Sequence, residues 1–530
     1  MTERDRGEAD APPRAGEGRE IELKLAVPSG DLERVRRHPL IRRLAQGSPQ
    51  VARLHTVYYD TPDRDLARAE LALRVRHEGG QYVQALKGTG SSIGGLFVRG
   101  EWEAPIDDAV PDVSKIPSFA AQALARRAIG VKTLEPVFET DFERTRFTIV
   151  RGDTELRLDV DDGEIRARGR TAPIREVELE LVRGDPGVLH GLALELHETV
   201  PVRPALESKA ERGHALATGT RPLPRRARHV ELTASATLEH ALRAVVTAGL
   251  EQVLANLEPA REPGDGEGVH QLRVGLRRTR AALSFFRDVL PAEQAEAFTG
   301  ELRWLAGEVG PARDLDVFLA DTLEPLAARF HDDAALKRMR DGARELRDDA
   351  YVRARAAIDA PRTAALCLAL GGWLTGSAYR DGGPDDARAA LVGPAAERVA
   401  ALLDARLKKA RKRGRSLARR TAAERHALRI ELKKLRYAGD SLASVFGRDA
   451  DRWLGRVANL QDTLGALNDV AVTERLTAEL AGKLGREWGA PHERAAGFLV
   501  GWSTRSAERR LRRLERQWKA FRSTRPFWRS

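Results

Sequence analysis

The spacing of hydrophobic residues switches once along this chain, and that switch demands two different kinds of fold. Up to about residue 217, aliphatic and charged residues alternate, as in Glu20-Ile-Glu22-Leu-Lys24, Leu71-Ala-Leu-Arg74-Val-Arg76, Glu155-Leu-Arg157-Leu-Asp159-Val and Val177-Glu178-Leu-Glu180-Leu. A period of two puts charge on one face of a strand and aliphatic side chains on the other. Glu78-Gly79-Gly80, Gly94-Gly95, Arg151-Gly152-Asp153 and Asp162-Gly163 are turn signals between such runs. Two stretches, near 31–44 and 118–129, read as helices within this mostly antiparallel β region. From 232 to about 523, Leu, Ala and Val recur every three and four residues, the spacing of helices packed on a core. A Pro/Arg-rich linker, 218–230, lies between the two regions. Residues 1–18, polar with Pro and Gly, read as a disordered lead-in.

The helical region contains an internal repeat. His-Gln-Leu-Arg-Val-Gly-Leu-Arg-Arg-Thr-Arg begins at His270, and His-Ala-Leu-Arg-Ile-Glu-Leu-Lys-Lys-Leu-Arg begins at His426. Downstream, Gly310-Pro-Ala-Arg313-Asp314 is matched by Gly465-Ala-Leu-Asn468-Asp469 at nearly the same offset. Two matched motifs at nearly one offset predict two similar helical bundles, about 231–380 and 391–523, related by a pseudo-twofold axis. The expected fold is therefore multidomain: an antiparallel β domain over 19–217, then an all-α domain over 231–523.

Composition narrows the class. The one cysteine, Cys367, lies in the apolar run Ala364-Ala-Leu-Cys-Leu-Ala-Leu370, so no internal disulfide is possible and a buried, inert thiol is expected. No run approaches 18 apolar residues and no apolar signal core is present, so the expectation is a cytoplasmic protein that does not engage a membrane. The net charge of +11 is confined to the helical half: residues from 231 on hold 52 Lys+Arg against 41 Asp+Glu, and the first 230 hold 37 of each. That asymmetry points to an anionic partner for the helices.

In the β region the charged faces come in blocks of one sign. Glu20, Glu22 and Lys24 share a face. So do Arg74 and Arg76; Glu101 and Glu103; Arg144 and Arg146; Arg157, Asp159 and Asp161; and Glu176, Glu178 and Glu180, with Lys87 in a similar run. Two geometries fit. Either every charged face meets water, as is ordinary for a single half-exposed strand, or the faces line the lumen of a closed barrel. Solvated faces mix signs more often along each strand, and the recurrence over six or seven strands favours the lumen. Clustered carboxylates repel unless cations bind them. Oxygen-rich clusters suit Mg²⁺ or Mn²⁺, and facing Arg and Lys suit phosphate oxygens.

These residues stand in an order that resembles the CYTH, or triphosphate tunnel metalloenzyme, family. Glu20-Ile-Glu22-Leu-Lys24 resembles its ExExK signature. The resemblance continues through Tyr58-Tyr59-Asp60-Thr61-Pro62, Leu73-Arg74-Val-Arg76, Leu86-Lys87-Gly88, Arg99-Gly-Glu101-Trp-Glu103, Glu176-Val-Glu178-Leu-Glu180 and Ser208-Lys209-Ala-Glu-Arg-Gly213. It implies an eight-stranded antiparallel tunnel that acts on triphosphates with a divalent metal. Carried over by motif, Glu20 and Glu22 would bind metal with Glu178 and Glu180 opposite, and Asp159 and Glu176 as further candidates. Lys24, Arg74, Arg76, Lys87, Arg144, Arg146 and Lys209 would hold the phosphates, and Glu20, Glu22, Lys24 and Lys87 would form the catalytic set. His55 and His77 read as ordinary surface histidines.

In the helical half, His270, Arg273, Arg277 and Arg280 fall at i, i+3, i+7 and i+10, one stripe of a helix, and His426, Arg429, Lys433 and Arg436 repeat the spacing. A solvated basic face explains one such stripe. Two at matched positions favour a shared anion surface, to which the cluster Lys408-Lys-Ala-Arg411-Lys412-Arg-Gly-Arg415 adds. This half resembles the CHAD family, the conserved-histidine α-helical domain, through the two His-x-x-Arg segments, Gly310-Pro-Ala-Arg313-Asp314-Leu-Asp316 and Leu464-Gly-Ala-Leu-Asn468-Asp469. The resemblance implies two four-helix bundles that bind inorganic polyphosphate. Few aromatic residues stand among the basic ones, which disfavours single-stranded nucleic acid.

The expectation is therefore metal-dependent hydrolysis of inorganic triphosphate in the tunnel, with polyphosphate held by the helices. A non-catalytic protein bound to polyphosphate granules is the alternative, followed by a nucleotide or thiamine triphosphatase.

Overall fold

The computed structural model describes residues 18–529 except 262, 263, 265, 377, 381, 382, 384, 385, 418, 419, 448 and 449. The expected disordered lead-in thus lies, but for Gly18, outside the described residues. The chain divides into two compact units, one of 1–223 with 360–378 and the other of 224–359 with 379–530. None of the described helices is long and apolar enough to cross a membrane.

The first unit is built on nine strands: β1 (Arg19–Ala26), β2 (Ala45–Asp60), β3 (Ala72–Glu78), β4 (Gln81–Ile93), β5 (Leu96–Ile106), β6 (Glu135–Arg151), β7 (Thr154–Ala167), β8 (Arg170–Arg183) and β9 (Arg203–Pro204). Their order is β5-β4-β3-β2-β6-β7-β8-β1-β9, and β1 also pairs with β5, so the first eight close into an antiparallel barrel. Closure leaves no free edge among those eight strands. On β1, Ile21, Leu23 and Leu25 are completely buried in the core outside the barrel, while Glu20, Glu22 and Lys24 point into the lumen. The sidedness is the reverse of an ordinary barrel with an apolar interior.

The outward aliphatic faces need cladding, and helices supply it: α1 (Leu32–Arg36), α2 (Pro39–Leu44), α3 (Asp65–Arg68), α4 (Phe119–Ile129), α5 (Gly187–His197) and α6 (Lys209–Thr218). The expected helix at 31–44 is two short helices because Pro39 starts the second, where its missing N–H costs nothing. Helix α4 runs as expected, with the Ser118 side chain accepting from the Ala121 amide and Gly130 closing it. Core residues of β1, β5, β6, β7 and β8 pack with α1, α2 and α5. A second cluster joins β3 and β4 to α3 and α4.

The second unit contains α7 (Leu238–Ala255), α8 (Glu267–Phe285), α9 (Ala292–Phe318), α10 (Glu324–Arg329) and α11 (Ala334–Asp359). After α12 (Pro361–Thr375), which belongs to the first unit, come α13 (Ala387–Val392), α14 (Ala395–Arg413), α15 (Ala422–Leu442), α16 (Asp451–Leu484) and α17 (Ala490–Ser523). Helices α7, α8, α9 and α11 pack each on the next, and so do α14, α15, α16 and α17. Each also meets its counterpart: α7 with α14, α8 with α15, α9 with α16 and α11 with α17. That is the twofold relation expected from the repeat.

Helix α12 departs from expectation. It was expected within the helical domain, but it packs on α5, with Leu368 fully buried in the core of the first unit. Cys367 is buried in the same helix and its thiol is pushed up to about 12 by that burial, as an inert structural thiol requires.

Candidate functional site

The barrel lumen is lined by side chains of all eight of its strands and of α6. Cross-strand register decides who faces whom. Glu20 lies opposite Arg99, Lys24 opposite Glu178, and Lys87 opposite Glu101. Arg144 lies opposite Asp161, Arg146 opposite Asp159, and Arg157 opposite Glu180. Three facing pairs are like-charged: Glu22 with Glu180, Asp159 with Glu178, and Asp161 with Glu176. Such pairs are destabilising by themselves, so the acidic wall formed by β1, β7 and β8 exists only because cations cover it.

Ion pairs cover it densely. Lys87 donates to both Glu20 oxygens at 2.9 and 3.0 Å, and Arg99 Nε reaches Glu20 at 3.0 Å while its Nη2 bonds Glu22. Lys24 pairs with Glu178 at 3.0 Å and lies 3.6 Å from Glu22. Arg144 forks onto Asp161 at 2.7 and 2.6 Å and also reaches Glu178 at 2.6 Å; Arg146 forks onto Asp159 at 2.7 and 2.6 Å. Bidentate pairs of this kind are the strong ones. Burial alone would push Glu20 up, but Lys87 and Arg99 outweigh it and hold the carboxyl below its usual range. Glu180 goes the other way: burial raises it and Arg157 only partly offsets the rise.

Arg76 is the exception among lumen cations. Lys24, Arg74, Lys87, Arg99, Arg144, Arg146, Arg157 and Lys209 each have a carboxylate oxygen within 3.2 Å. Among the described residues Arg76 has only a 3.6 Å contact to the half-exposed Glu78, and its buried Nε has no partner. Neighbouring Arg74, then burial, then Arg144 pull its guanidinium down to about 10. A buried cation pushed toward neutrality by other cations is stabilised by an incoming anion.

One group of carboxylates has the geometry of a cation site. Oxygens of Asp161, Glu176 and Glu178 lie within 4.8 Å of one another. Between them sits the Lys209 ammonium, 2.7 Å from Asp161 and 3.0 Å from Glu178, and bonded to Glu176. The ammonium stands where a cation is required, so the donor set fits a hard divalent ion with oxygen ligands. Asp161, absent from the metal candidates of the sequence reading, belongs to this group. Asp159, which the sequence reading included, is held by Arg144 and Arg146.

Lys209 reaches the site because of the local fold of α6. Ser208 accepts from the Glu211 amide and Glu211 accepts from the Ser208 amide, a capping box that fixes Lys209 as the first helical residue. Arg212, one turn on, bonds Glu176 at 3.1 Å. Asp60 has a purely architectural part: its carboxylate accepts from the amides of Thr61, Leu66 and Ala67 at 2.7, 2.9 and 3.0 Å and so holds α3. Arg99, Glu101, Asp161 and Arg212 were missed as site residues. For Arg99 the signal was present, since it alternates with Glu101 and Glu103 across Gly100. His55 is exposed and 3.2 Å from Glu139, and His77 packs on Tyr82.

In the second unit, four of the expected stripe residues come together: Arg273 and Arg277 of α8 with Arg429 and Lys433 of α15. His270 lies beside Arg273 and Arg277. Burial, then Arg277, Arg429 and Arg273, depress Lys433 to about 7. The Nε atoms of Arg277 and Arg429 are buried without partners. Arg273 donates to the Gly310 carbonyl at 2.7 Å and to Asp314 at 2.9 Å, while Arg429 lies by Gly465 and Asp469. The two repeated motifs therefore meet, Arg on one helix and Gly-x-x-x-Asp on the next. Arg280 instead neighbours Arg303 and Lys434, and Arg436 turns to Asp440 and Gln461. His426 is exposed.

A closed barrel with a charged lumen, joined to a twofold helical unit with facing basic stripes, defines a two-domain tunnel protein. The chain carries a CYTH domain over residues 18–213 and a CHAD domain over residues 244–478. Over 206 residues it is 32% identical to the inorganic triphosphatase of Haemophilus influenzae strain Rd, covering 37% of this chain and 54% of that protein. The chain thus spans about half the length of that curated relative. Among solved structures, the CHAD domain from the plant Ricinus communis is 28% identical, with a TM-score of 0.49 over 57% of this chain and 98% of that one. PptA from Streptomyces chartreusis is 18% identical, with a TM-score of 0.43 over 54% of this chain and 100% of that one.

Proposed function

We propose that the barrel hydrolyses inorganic triphosphate with a divalent metal, Mg²⁺ or Mn²⁺, and that the facing stripes of the helical unit bind inorganic polyphosphate. The observation that carries the first part is the under-neutralised Arg76 lining the same lumen as Glu178, a member of a three-carboxylate cluster. One wall lacks an anion and the other is built for a cation, which is what a metal-bound oligophosphate supplies. The similarity to an inorganic triphosphatase supports the same reading.

Asp161, Glu176 and Glu178 would hold the metal, with Glu20, Glu22, Glu180 and Asp159 completing the acidic wall. A divalent ion held there would supply charge neutralisation for the phosphates and a water of lowered pKa. Arg74, Arg76, Arg144, Arg146, Lys24 and Lys87 orient the chain and stabilise charge gathering on the leaving pyrophosphate, which is most of what phosphoryl transfer requires. Lys209, which pairs with these carboxylates, would be the cation released to meet a phosphate oxygen were a divalent ion bound among them. No covalent nucleophile is needed.

The test is phosphate release from inorganic triphosphate with Mg²⁺, Mn²⁺ or chelator, beside ATP and long polyphosphate. Metal-dependent release from triphosphate and little from ATP is the expected result. No release from any of them, with tight salt-sensitive binding of polyphosphate, would leave a binding protein instead. For the helical unit, Arg273→Glu, Arg277→Glu, Arg429→Glu and Lys433→Glu together should abolish long-chain binding. Unchanged affinity would reduce the stripes to solvated surface.

A further inference from the structure

The basic run after residue 404 was expected to extend the stripes. In the structure α14 divides it between two faces. Arg406, Lys409 and Arg413 turn to Glu431 on α15. Lys408, Arg411, Lys412 and Arg415 turn the other way and line a separate cleft with Arg522 and Arg529.

That cleft is strongly unbalanced. Six cations line it, and Asp404 is the one acidic residue among its lining. Asp404 is already engaged: one of its oxygens accepts from Trp528 Nε1 at 2.8 Å and from Arg529 Nε at 2.9 Å. Arg411 donates to the Arg522 carbonyl at 3.3 Å, but its buried Nε has no partner. Burial, then Arg529 and Arg522, depress the Arg411 guanidinium. Cations in the last turn of α14 complement the helix dipole, which accounts for Arg411 and Lys412. It does not account for Lys408, a turn earlier, or for two arginines brought in from beyond.

The architecture holds those arginines in place. The segment that follows α17 is pinned by Phe527 and Trp528 against Trp453, with ring centroids 5.8 and 4.7 Å apart. Edge-on aromatic packing of this kind is rigid and specific. Pinning Trp528 sets Arg529 into the cleft. The cleft has a volume of about 520 Å³, many times a water's share of about 30 Å³. No aromatic ring is among its lining residues, so it lacks the aromatic platform on which successive bases stack.

We propose that this cleft between α14 and the segment after α17 is a second anion site of the helical unit, specific for a bare inorganic oligophosphate. It goes beyond the stripe reading and does not depend on it.

The experiment is calorimetric titration of the full chain with inorganic tetraphosphate in chelator, counting equivalents bound. Lys408, Lys412 and Arg415 are exposed, and none has a side-chain ion pair to a described residue, so Lys408→Ala/Lys412→Ala/Arg415→Ala is expected to keep the fold. This variant should bind one equivalent fewer than the parent at an unchanged melting temperature. The four-Glu stripe variant should keep that equivalent. ATP should displace tetraphosphate from the cleft at least tenfold less effectively than triphosphate does. An unchanged count in the triple variant overturns the proposal, as does loss of every equivalent in the stripe variant. Equal displacement by ATP overturns the specificity for a bare chain. If the triple variant loses its equivalent while the stripe variant binds as the parent, the cleft stands and the stripe reading fails.

Discussion

Arg76 and Arg144 sit on neighbouring parts of one lumen and are expected to fail in opposite ways. Arg144 holds Asp161, Glu178 and Asp159 at once. Arg144→Ala would strand buried carboxylates, and breaking a buried pair from one side costs about 3–5 kcal/mol. Arg76 holds nothing so closely and is repelled by Arg74. Arg76→Ala should leave the melting temperature unchanged or slightly higher while cutting phosphate release by roughly 10²–10³-fold, the usual loss for one transition-state donor. Melting curves beside kcat and KM check this; a large fall in stability with modest loss of rate would make Arg76 structural. Lys433 carries a pH prediction. Held at about 7 by burial and by Arg277, Arg429 and Arg273, it gains a proton when a polyanion arrives. Its contribution to affinity is full below pH 7 and is lost as pH rises through the higher pKa of the complex. In the unliganded protein the unfolded state binds the extra proton, so this residue makes stability rise between pH 7 and its unfolded value of 10.5. Lys433→Arg should flatten the binding profile; a profile that keeps its shape would assign the titration elsewhere.

Helix α6 shows how an element can be both motif and machinery. Its Ser208-Lys-Ala-Glu211 start is a capping box, yet it is not among the two helical stretches expected in the β region, because alternation dominates the spacing up to about residue 217. The strands were legible because a period of two needs only local spacing, and six of the charged faces do line the lumen. Which carboxylates cluster was not legible. Asp159 and Asp161 share a face, and only the register of β7 against β6 and β8 decides that Asp161 joins Glu176 and Glu178. Position along α6 is set by a glycine. A Cβ at Gly213 would overlap the ring of Phe138, so the helix lies as close to the barrel as it does only because no side chain is there. Gly213→Ala should lift α6 and carry Lys209 and Arg212 away from Glu176. Overpacking of this kind costs about 1–3 kcal/mol, and triphosphate hydrolysis should fall with it. Normal activity at a lowered melting point would show that Lys209 is not needed in place.

At the scale of the molecule, the first unit is not continuous in sequence. The apolar run around Cys367 announced a buried helix, but periodicity says that a face is buried and never against what. Here α12 completes the core over α5. The contact is close because Gly371 and Gly372 face His190: a Cβ on Gly371 would lie 2.6 Å from its Nε2 and 2.9 Å from the Gly94 carbonyl, to which that nitrogen bonds. His190 is completely buried, and burial holds it at about 4 against 6.5 when free. A histidine buried neutral stabilises fully above its unfolded value, and that stability is lost as pH falls from 6.5 toward 4. A shift of this size corresponds to on the order of 3 kcal/mol. The first unit should therefore melt lower at pH 5 than at pH 7, and His190→Gln should flatten that dependence. A chain of 18–223 alone exposes the face of α5 that α12 covers, so it should melt well below the full protein's first transition or aggregate. Joining 360–378 to it through a Gly/Ser linker should recover the transition. If 18–223 alone melts as the unit does in the full chain, α12 is an ornament of the barrel and the first unit is complete at residue 223; if it does not and 360–378 restores it, α12 is part of the tunnel's own fold, and a cut at residue 223 removes it.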